Sequence, residues 1–190
     1  MEQKRLVVGI TGASAPILGI RLLELLKQVP EVETHVVLTR AGKVTISLET
    51  DYSIKQVESL ADVTYKTDDI AAPISSGSFK TLGMIVAPCS VNTMSCIAAS
   101  ISKDLLTRAA DVTLKERRPL VLMIRESPLH ISHLKRMMEL SELGVTIAPP
   151  TISLYHDPKT ILDLVDHAIG RALDVFDLEL PWVKRWQGPS

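Results

Sequence analysis

The chain has 190 residues, enough to bury one real hydrophobic core and too few for two ordinary domains. Hydrophobic residues make up 46% and charged residues 23%, a globular balance that leaves no room for extensive disorder. The net charge of −1 excludes a general nucleic-acid binder, which needs a basic surplus to release counterions from phosphates.

No apolar run is long enough to span a bilayer, so no membrane partner is expected. Met1-Glu2-Gln3-Lys4-Arg5 leads straight into a strand-like run and lacks the small-residue cleavage site of a signal peptide. Cys89 and Cys96 form neither a disulfide framework nor a zinc or CxxC spacing. The cytoplasm is the expected compartment.

In chain order, residues 6–11 read as a buried strand, followed by Gly12-Ala13-Ser14-Ala15-Pro16 and a helix through Ile20, Leu22, Leu23, Leu25 and Leu26. Residues 34–38 form a second strand ending at Thr39-Arg40, and residues 43–61 carry weak helical patterning broken near 51–53. Residues 73–79 are a polar loop, residues 84–87 a third strand and residues 120–124 a fourth. Ser127-Pro128 supplies a cap and a first-turn proline for a helix carrying Leu134, Met137, Met138 and Leu140, which Gly144 closes. A fifth strand spans 145–148, and Asp157-Pro158 opens a last helix through Ile161, Leu164, Val165, Ala168 and Leu173. One domain is expected over 1–179, with an irregular tail at 180–190. Apolar strands alternating with amphipathic helices predict an α/β fold of three layers, with a mostly parallel sheet covered on both faces.

Ligands of such sheets bind beyond the carboxyl ends of the strands, where strand order reverses. That rule selects residues 11–14, 39–40, 88–93, 125–126 and 149–155, all polar or turn-forming. Gly12-Ala13-Ser14 joins a strand to a helix, where backbone N–H groups and the helix dipole favour an anion. The same residues also fit an ordinary turn capped by Ser14. The loop is neither GxGxxG nor a Walker motif. Ser90, Asn92 and Thr93 offer three short polar groups where a helix cap needs one. Cys89 reads as a buried structural thiol, having no basic partner nearby in sequence. Arg125-Glu126 follows a core strand directly; Arg125 suits bidentate phosphate binding and Glu126 proton transfer, unless the two serve an ion pair. His35 reads as a core residue. His130 and His133 share a helix but lack a third ligand, so no metal site is expected. Arg171 is an exposed helix arginine, and Tyr155 follows two prolines.

Several stretches together resemble the flavin prenyltransferase family, of the UbiX-like, phenolic-acid-decarboxylase-associated type. They are Thr11-Gly12-Ala13-Ser14, residues 74–79 (ISSGSF), 88–90 (PCS), 108–122 (RAADVTLKERRPLVL), 125–129 (RESPL), Tyr155-His156 and 185–188 (RWQG). The resemblance covers nearly the whole chain and implies a Rossmann-like, doubly wound sheet. It further implies a homododecamer and a metal-independent enzyme that joins a dimethylallyl group, from dimethylallyl monophosphate, to N5 and C6 of reduced FMN. The product would serve a separate prenyl-FMN-dependent decarboxylase.

Carried over by residue, the resemblance places FMN on Gly12, Ala13, Ser14, Thr39, Ser90, Val91, Asn92, Thr93 and Arg125. Tyr155 and Arg171, helped by Arg125 and Lys115, would grip the prenyl phosphate, and Trp186 would wall the prenyl pocket. Glu126, Ser14 and Lys115 would take part in the chemistry, with Glu49 reaching in from a neighbouring subunit. Two departures stand out. The family reads TGASG where this chain has Ala15-Pro16, and Asn92 replaces a lysine or glycine. Ser90-Val91-Asn92-Thr93 instead resembles the PxSxNT motif of FMN-dependent cysteine decarboxylases. That alternative lacks support, because no histidine lies between His35 and His130 and no substrate clamp is evident. A non-catalytic FMN carrier is the other alternative; it would not need Glu126, Tyr155, Arg171 and Lys115.

Overall fold

The computed structural model describes residues 4–178, 180, 182–183 and 185–188. Six parallel strands form one sheet: β1 (Lys4–Ile10), β2 (Val32–Leu38), β3 (Val63–Tyr65), β4 (Gly83–Cys89), β5 (Leu120–Ile124) and β6 (Thr146–Ile147). Their order is β3-β2-β1-β4-β5-β6, so the chain reverses direction across the sheet between β1 and β4. This is the strand order of a Rossmann-type doubly wound sheet, and it puts the expected ligand crevice at the β1/β4 boundary.

Side-chain alternation along the strands builds two cores. Leu6, Val8 and Ile10 of β1 join a cluster on one face, while Val7 joins a second cluster on the other. Helix α1 (Ile17–Leu26) buries Leu18, Ile20, Leu22, Leu23, Leu25 and Leu26 in the first core, beside α7 (Ile161–Leu173). Each fully buried leucine contributes about 1.5–3 kcal/mol relative to exposure. The second core receives Met94 and Ile97 of α4 (Val91–Ala98) and Leu105, Leu106, Ala109 and Ala110 of α5 (Leu105–Lys115). Leu140 of α6 (Ile131–Glu142) completes it. Between β2 and β3 lie the more exposed α2 (Arg40–Glu49) and α3 (Ile54–Glu58), separated at 51–53 as the sequence pattern predicts.

Helix starts differ from two sequence expectations. His130, not Ser127, caps α6: its ring nitrogen accepts from the Ser132 amide at 3.2 Å. Pro128 therefore lies in the preceding turn rather than the first helical turn. Asp157 has φ +57°, a left-handed conformation that cannot lead into a helix, and α7 begins later on the Thr160/Asp163 capping box. Gly144 behaves as expected, with φ +87° one residue past the α6 cap. Only Thr146–Ile147 of the expected fifth strand pairs with β5. Of the tail, Leu180 is buried in the first core and Trp182 and Val183 pack against it. Among the described residues, no helix is long and apolar enough to cross a membrane.

Candidate active site

The reversal point is stitched together by Thr11. Its hydroxyl donates to the Pro88 carbonyl at 2.7 Å and accepts from the Ser90 amide at 2.8 Å, joining the carboxyl ends of β1 and β4. Sequence reasoning gave Thr11 no role of its own. Its signal was a fully polar residue at the end of an apolar strand, and it is completely buried.

Above this stitch opens a cavity of about 590 Å3, lined by Gly12, Ala13, Ser14, Thr39, Ser90, Val91, Asn92, Thr93, Arg125 and Glu126. All the residues expected to hold the flavin are thus brought together, with Glu126 beside them. Two helices point their first turns at the cavity. Thr39 caps α2 by accepting from the Gly42 amide at 3.0 Å, and Ser90 caps α4 by accepting from the Thr93 amide at 3.2 Å. The first-turn amides of α2 and α4 and the positive ends of both dipoles therefore face one chamber, which suits an anionic ligand. Gly12 makes the close fit possible: a Cβ there would lie 2.4 Å from the Ala41 Cβ.

Four lining residues, Ala41, Thr67, Lys103 and Asp104, escaped the sequence reading. Ala41 follows the Thr39 cap in the first turn of α2, and Lys103 comes from the segment between α4 and α5 to donate to the Asn92 side-chain oxygen Oδ1. A lone lysine in a polar connection carries no sequence signal for this role. Cys89 is fully buried beneath the chamber, and that burial pushes its thiol far up, leaving it a poor nucleophile. His35 is a core residue as expected, 2.9 Å from the Tyr65 hydroxyl through Nδ1, with its ionisation pushed down by burial. His130 and His133 stack at 3.5 Å between ring centroids, and among the described residues no cluster of three His, Cys, Asp or Glu groups could hold a metal ion.

Glu49 corrects an expectation. It reaches the first loop from the same chain, not from a neighbour, because α2 runs alongside that loop. Its Oε2 accepts from the Ser14 hydroxyl at 2.9 Å and from the Ala15 amide at 2.8 Å. Ala15, standing where the family has glycine, takes φ +66°. The backbone has kept the left-handed turn and the alanine bears its steric cost.

A second cavity of about 400 Å3 lies at the end of β6, lined by Ala148, Pro149, Tyr155, His167 and Arg171 among others. Strand β6 pairs with β5 through Leu122↔Ile147, so this cavity begins one strand spacing from Leu122, three residues before Arg125 at the exit of β5. Tyr155 and Arg171 thus come together as expected, and Trp186 packs edge-on against Tyr155 with ring centroids 5.7 Å apart. Arg171 pairs with Asp174, which Arg185 also grips at 2.7 Å.

Lys115 is not in either cavity. Helix α5 runs antiparallel to the strands and delivers its last residue to the amino edge of β5, opposite Arg125. There Lys115 pairs with Glu116 beside Gly77, while Arg118 donates to the Gly77 and Phe79 carbonyls at 2.7 and 2.8 Å. The ISSGSF loop is held by this arginine, whose side chain is largely buried. Any role for Lys115 in phosphate binding requires another subunit.

The donor set fits a flavin mononucleotide. First-turn amides, Arg125 and Lys103 suit its phosphate and ring carbonyls, Ala13 and Val91 offer apolar contact, and the volume lies within the range of cofactor pockets.

Comparison with known proteins agrees. The family model described as Flavoprotein matches residues 1–174. Flavin prenyltransferase UbiX of Escherichia coli (strain K12) is 53% identical over 187 residues, covering 97% of this chain and 99% of the relative. The crystal structure of AnUbiX (PadA1) in complex with FMN and dimethylallyl pyrophosphate superposes with a TM-score of 0.96 at 45% identity, covering 99% of this chain and all (100%) of that one. A dodecameric FMN-dependent Ubix-like decarboxylase from Escherichia coli O157:H7 gives a TM-score of 0.94 at 50% identity, over 97% of this chain and 100% of its own. With matches of this extent, the chain belongs to the Flavoprotein family and, within it, to the UbiX-like flavin prenyltransferases.

Proposed function

We propose that this chain transfers a dimethylallyl group from dimethylallyl monophosphate to reduced FMN, yielding prenylated FMN for a separate decarboxylase. The observation that carries the reading is the position of Arg125-Glu126. They line a chamber suited to an anionic planar ligand and follow β5, the neighbour of the strand that ends at a pocket lined by Tyr155 and Arg171.

Reduced flavin supplies the nucleophilic N5 and C6 that accept the allyl carbon atoms. The chain's own residues bind, orient and neutralise. The α2 and α4 first turns, with Arg125 and Lys103, hold the flavin by charge-assisted hydrogen bonds. The Ser14 hydroxyl donates its hydrogen bond to Glu49, so its oxygen lone pairs remain to accept from an N–H in the chamber. Tyr155 and Arg171 stabilise the phosphate as it leaves, which lowers the barrier only because the charge grows in that step. One Glu126 oxygen accepts from the Ser127 amide at 3.0 Å, and the other is left to take a proton. Trp186 and Tyr155 offer aromatic faces to an allyl group with cationic character.

The dodecameric relative supports assembly of this chain as a homododecamer, and the exposed Val44, Leu48 and Ile70 give apolar area for subunit contact. We assign the single domain to 1–179, with the tail completing the donor pocket through Arg185 and Trp186. The free thiols Cys89 and Cys96 support a reducing compartment, the cytoplasm.

The test is anaerobic incubation with reduced FMN and dimethylallyl monophosphate. The expected product is a flavin heavier by one C5H8 unit, and Glu126→Gln should keep flavin binding while slowing its formation. Unchanged flavin mass with intact FMN binding would overturn the transferase reading in favour of a carrier.

A further inference from the structure

Tyr155 does not stand alone in its pocket. Its hydroxyl oxygen lies 2.7 Å from Nε2 of His167 on α7, and the two rings meet edge-on with centroids 5.2 Å apart. His156 stacks flat on His167, 4.2 Å away and 5° from parallel. His167 is only 8% exposed, and it lines the donor pocket four residues before Arg171 on the same helix face. No role for it was apparent from the sequence.

A phenol has one proton to give and two lone pairs. When His167 Nε2 is bare, the Tyr155 proton is spent on the ring. When Nε2 carries a proton, Tyr155 accepts from it, and the phenolic O–H is released toward the pocket and Arg171. We propose that His167 is a positioning residue for the allylic phosphate, donating to Tyr155 so that the phenol can donate to the phosphate, and taking up a proton as that phosphate binds. The inference rests on the donor-pocket reading above.

The surrounding charges set the direction. Burial pushes His167 below its ordinary range, and the neighbouring His156 and Arg171 push it the same way, while Asp174 opposes them. Asp174 is shared between Arg171 and Arg185 from the tail. Asp166, on the other side of α7, is occupied by Arg21 of α1 at 2.8 Å. In the empty pocket these surroundings favour the neutral imidazole of His167. An arriving phosphate offsets the Arg171 charge and favours the imidazolium. By linkage, protons and phosphate then bind cooperatively, and affinity falls as pH rises through the His167 titration.

The test compares wild type, His167→Gln and His167→Phe by calorimetric titration with dimethylallyl monophosphate and by steady-state kinetics. The glutamine amide can donate to Tyr155 but does not titrate. We expect it to match wild type within about twofold at pH 8 and to bind about three- to tenfold more weakly at pH 6. Phenylalanine neither donates nor titrates, so it should weaken binding about three- to tenfold at pH 8 and by a further three- to tenfold at pH 6, with the loss in KM and little change in kcat. The phosphate's own ionisation is common to all three proteins and cancels in the ratio. Titration in two buffers of different ionisation enthalpy at pH 7 should show more proton uptake by wild type than by His167→Gln. A wild type that turns over, with a His167→Gln affinity ratio independent of pH and equal proton uptake, overturns this inference alone. A wild type that neither binds nor consumes the donor overturns the functional reading and this inference with it.

Discussion

Gly12 is the residue on which the flavin chamber's shape most directly depends, and Gly12→Ala tests that dependence. An added Cβ would lie 2.4 Å from the Ala41 Cβ and 3.2 and 3.3 Å from the Ala41 backbone. Carbon atoms pack at about 3.5–4.0 Å, so the α2 start must retreat by about 1 Å. Overpacking of this kind costs about 1–3 kcal/mol. For a chain of this size that lowers Tm by roughly 2–12 °C, measured at fixed protein concentration. FMN affinity should fall too, because Gly12 and Ala41 both line the cavity. Ala41→Gly alone should cost about 0.5–1 kcal/mol, the usual helix penalty. Combining the two removes the methyl–methyl clash, leaving the tighter backbone contacts. The double variant should therefore be at least about 1 kcal/mol more stable than the sum of the single losses. Strict additivity in denaturant unfolding, or unchanged FMN affinity in Gly12→Ala, would refute the reasoning.

Ala15→Gly should relieve a left-handed alanine worth about 1–2 kcal/mol and lose about 0.4–1 kcal/mol to chain entropy. The net gain raises Tm by about 1–4 °C in calorimetry; a fall would show that the methyl's packing outweighs the strain. Arg21 ties α1 to α7 through Asp166 and to Glu24 at 2.7 Å, and Arg21→Met should cost about 1 kcal/mol at pH 7 in denaturant unfolding. Burial alone would raise the Glu24 carboxyl, but the Tyr52 hydroxyl and Arg21 hold it below the ordinary range. Its contribution is thus present at neutral pH and lost as pH falls through the folded-state titration, so wild type should lose more stability on acidification than Arg21→Met. Equal slopes would dismiss the coupling. Native Cys96→Ser protein should resist maleimide at pH 7 and take one label only after unfolding, because Cys89 is buried with a raised thiol; labelling of the native protein would contradict this.

Much of this architecture was legible in the sequence, for reasons that also explain the misses. Strands β1, β4 and β5 are buried on both faces and read as apolar runs over most of their length, and β2 was read from its apolar end, Val36-Val37-Leu38. Strand β3 was invisible: Val63-Thr64-Tyr65 is three residues long, at the sheet edge and only partly buried, so no pattern has room to repeat. The chamber was found because most of its contributors end a strand or begin a helix, and local sequence marks such places. Where Lys115 and Glu49 stand in the chain's own fold was not legible, because it depends on helix direction and length, which residue identity does not encode. His167 was missed for the opposite reason: it sits on the buried side of an amphipathic helix, where a histidine carries no sign of the tyrosine it will meet.

Helix α2 touches the chamber at both ends. Ala41 abuts Gly12, and eight residues later Glu49 hooks Ser14 and Ala15. At about 1.5 Å per residue those anchors are about 12 Å apart, close to the reach of the loop lying beside them. The helix therefore works as a ruler for the loop. Deleting any one residue between the anchors would swing Glu49 about 100° around the axis and unhook it. A helix that buries only Gly42 and Ile46 would ordinarily tolerate such a change. Here the exposed positions between the anchors are free to drift while their number is not.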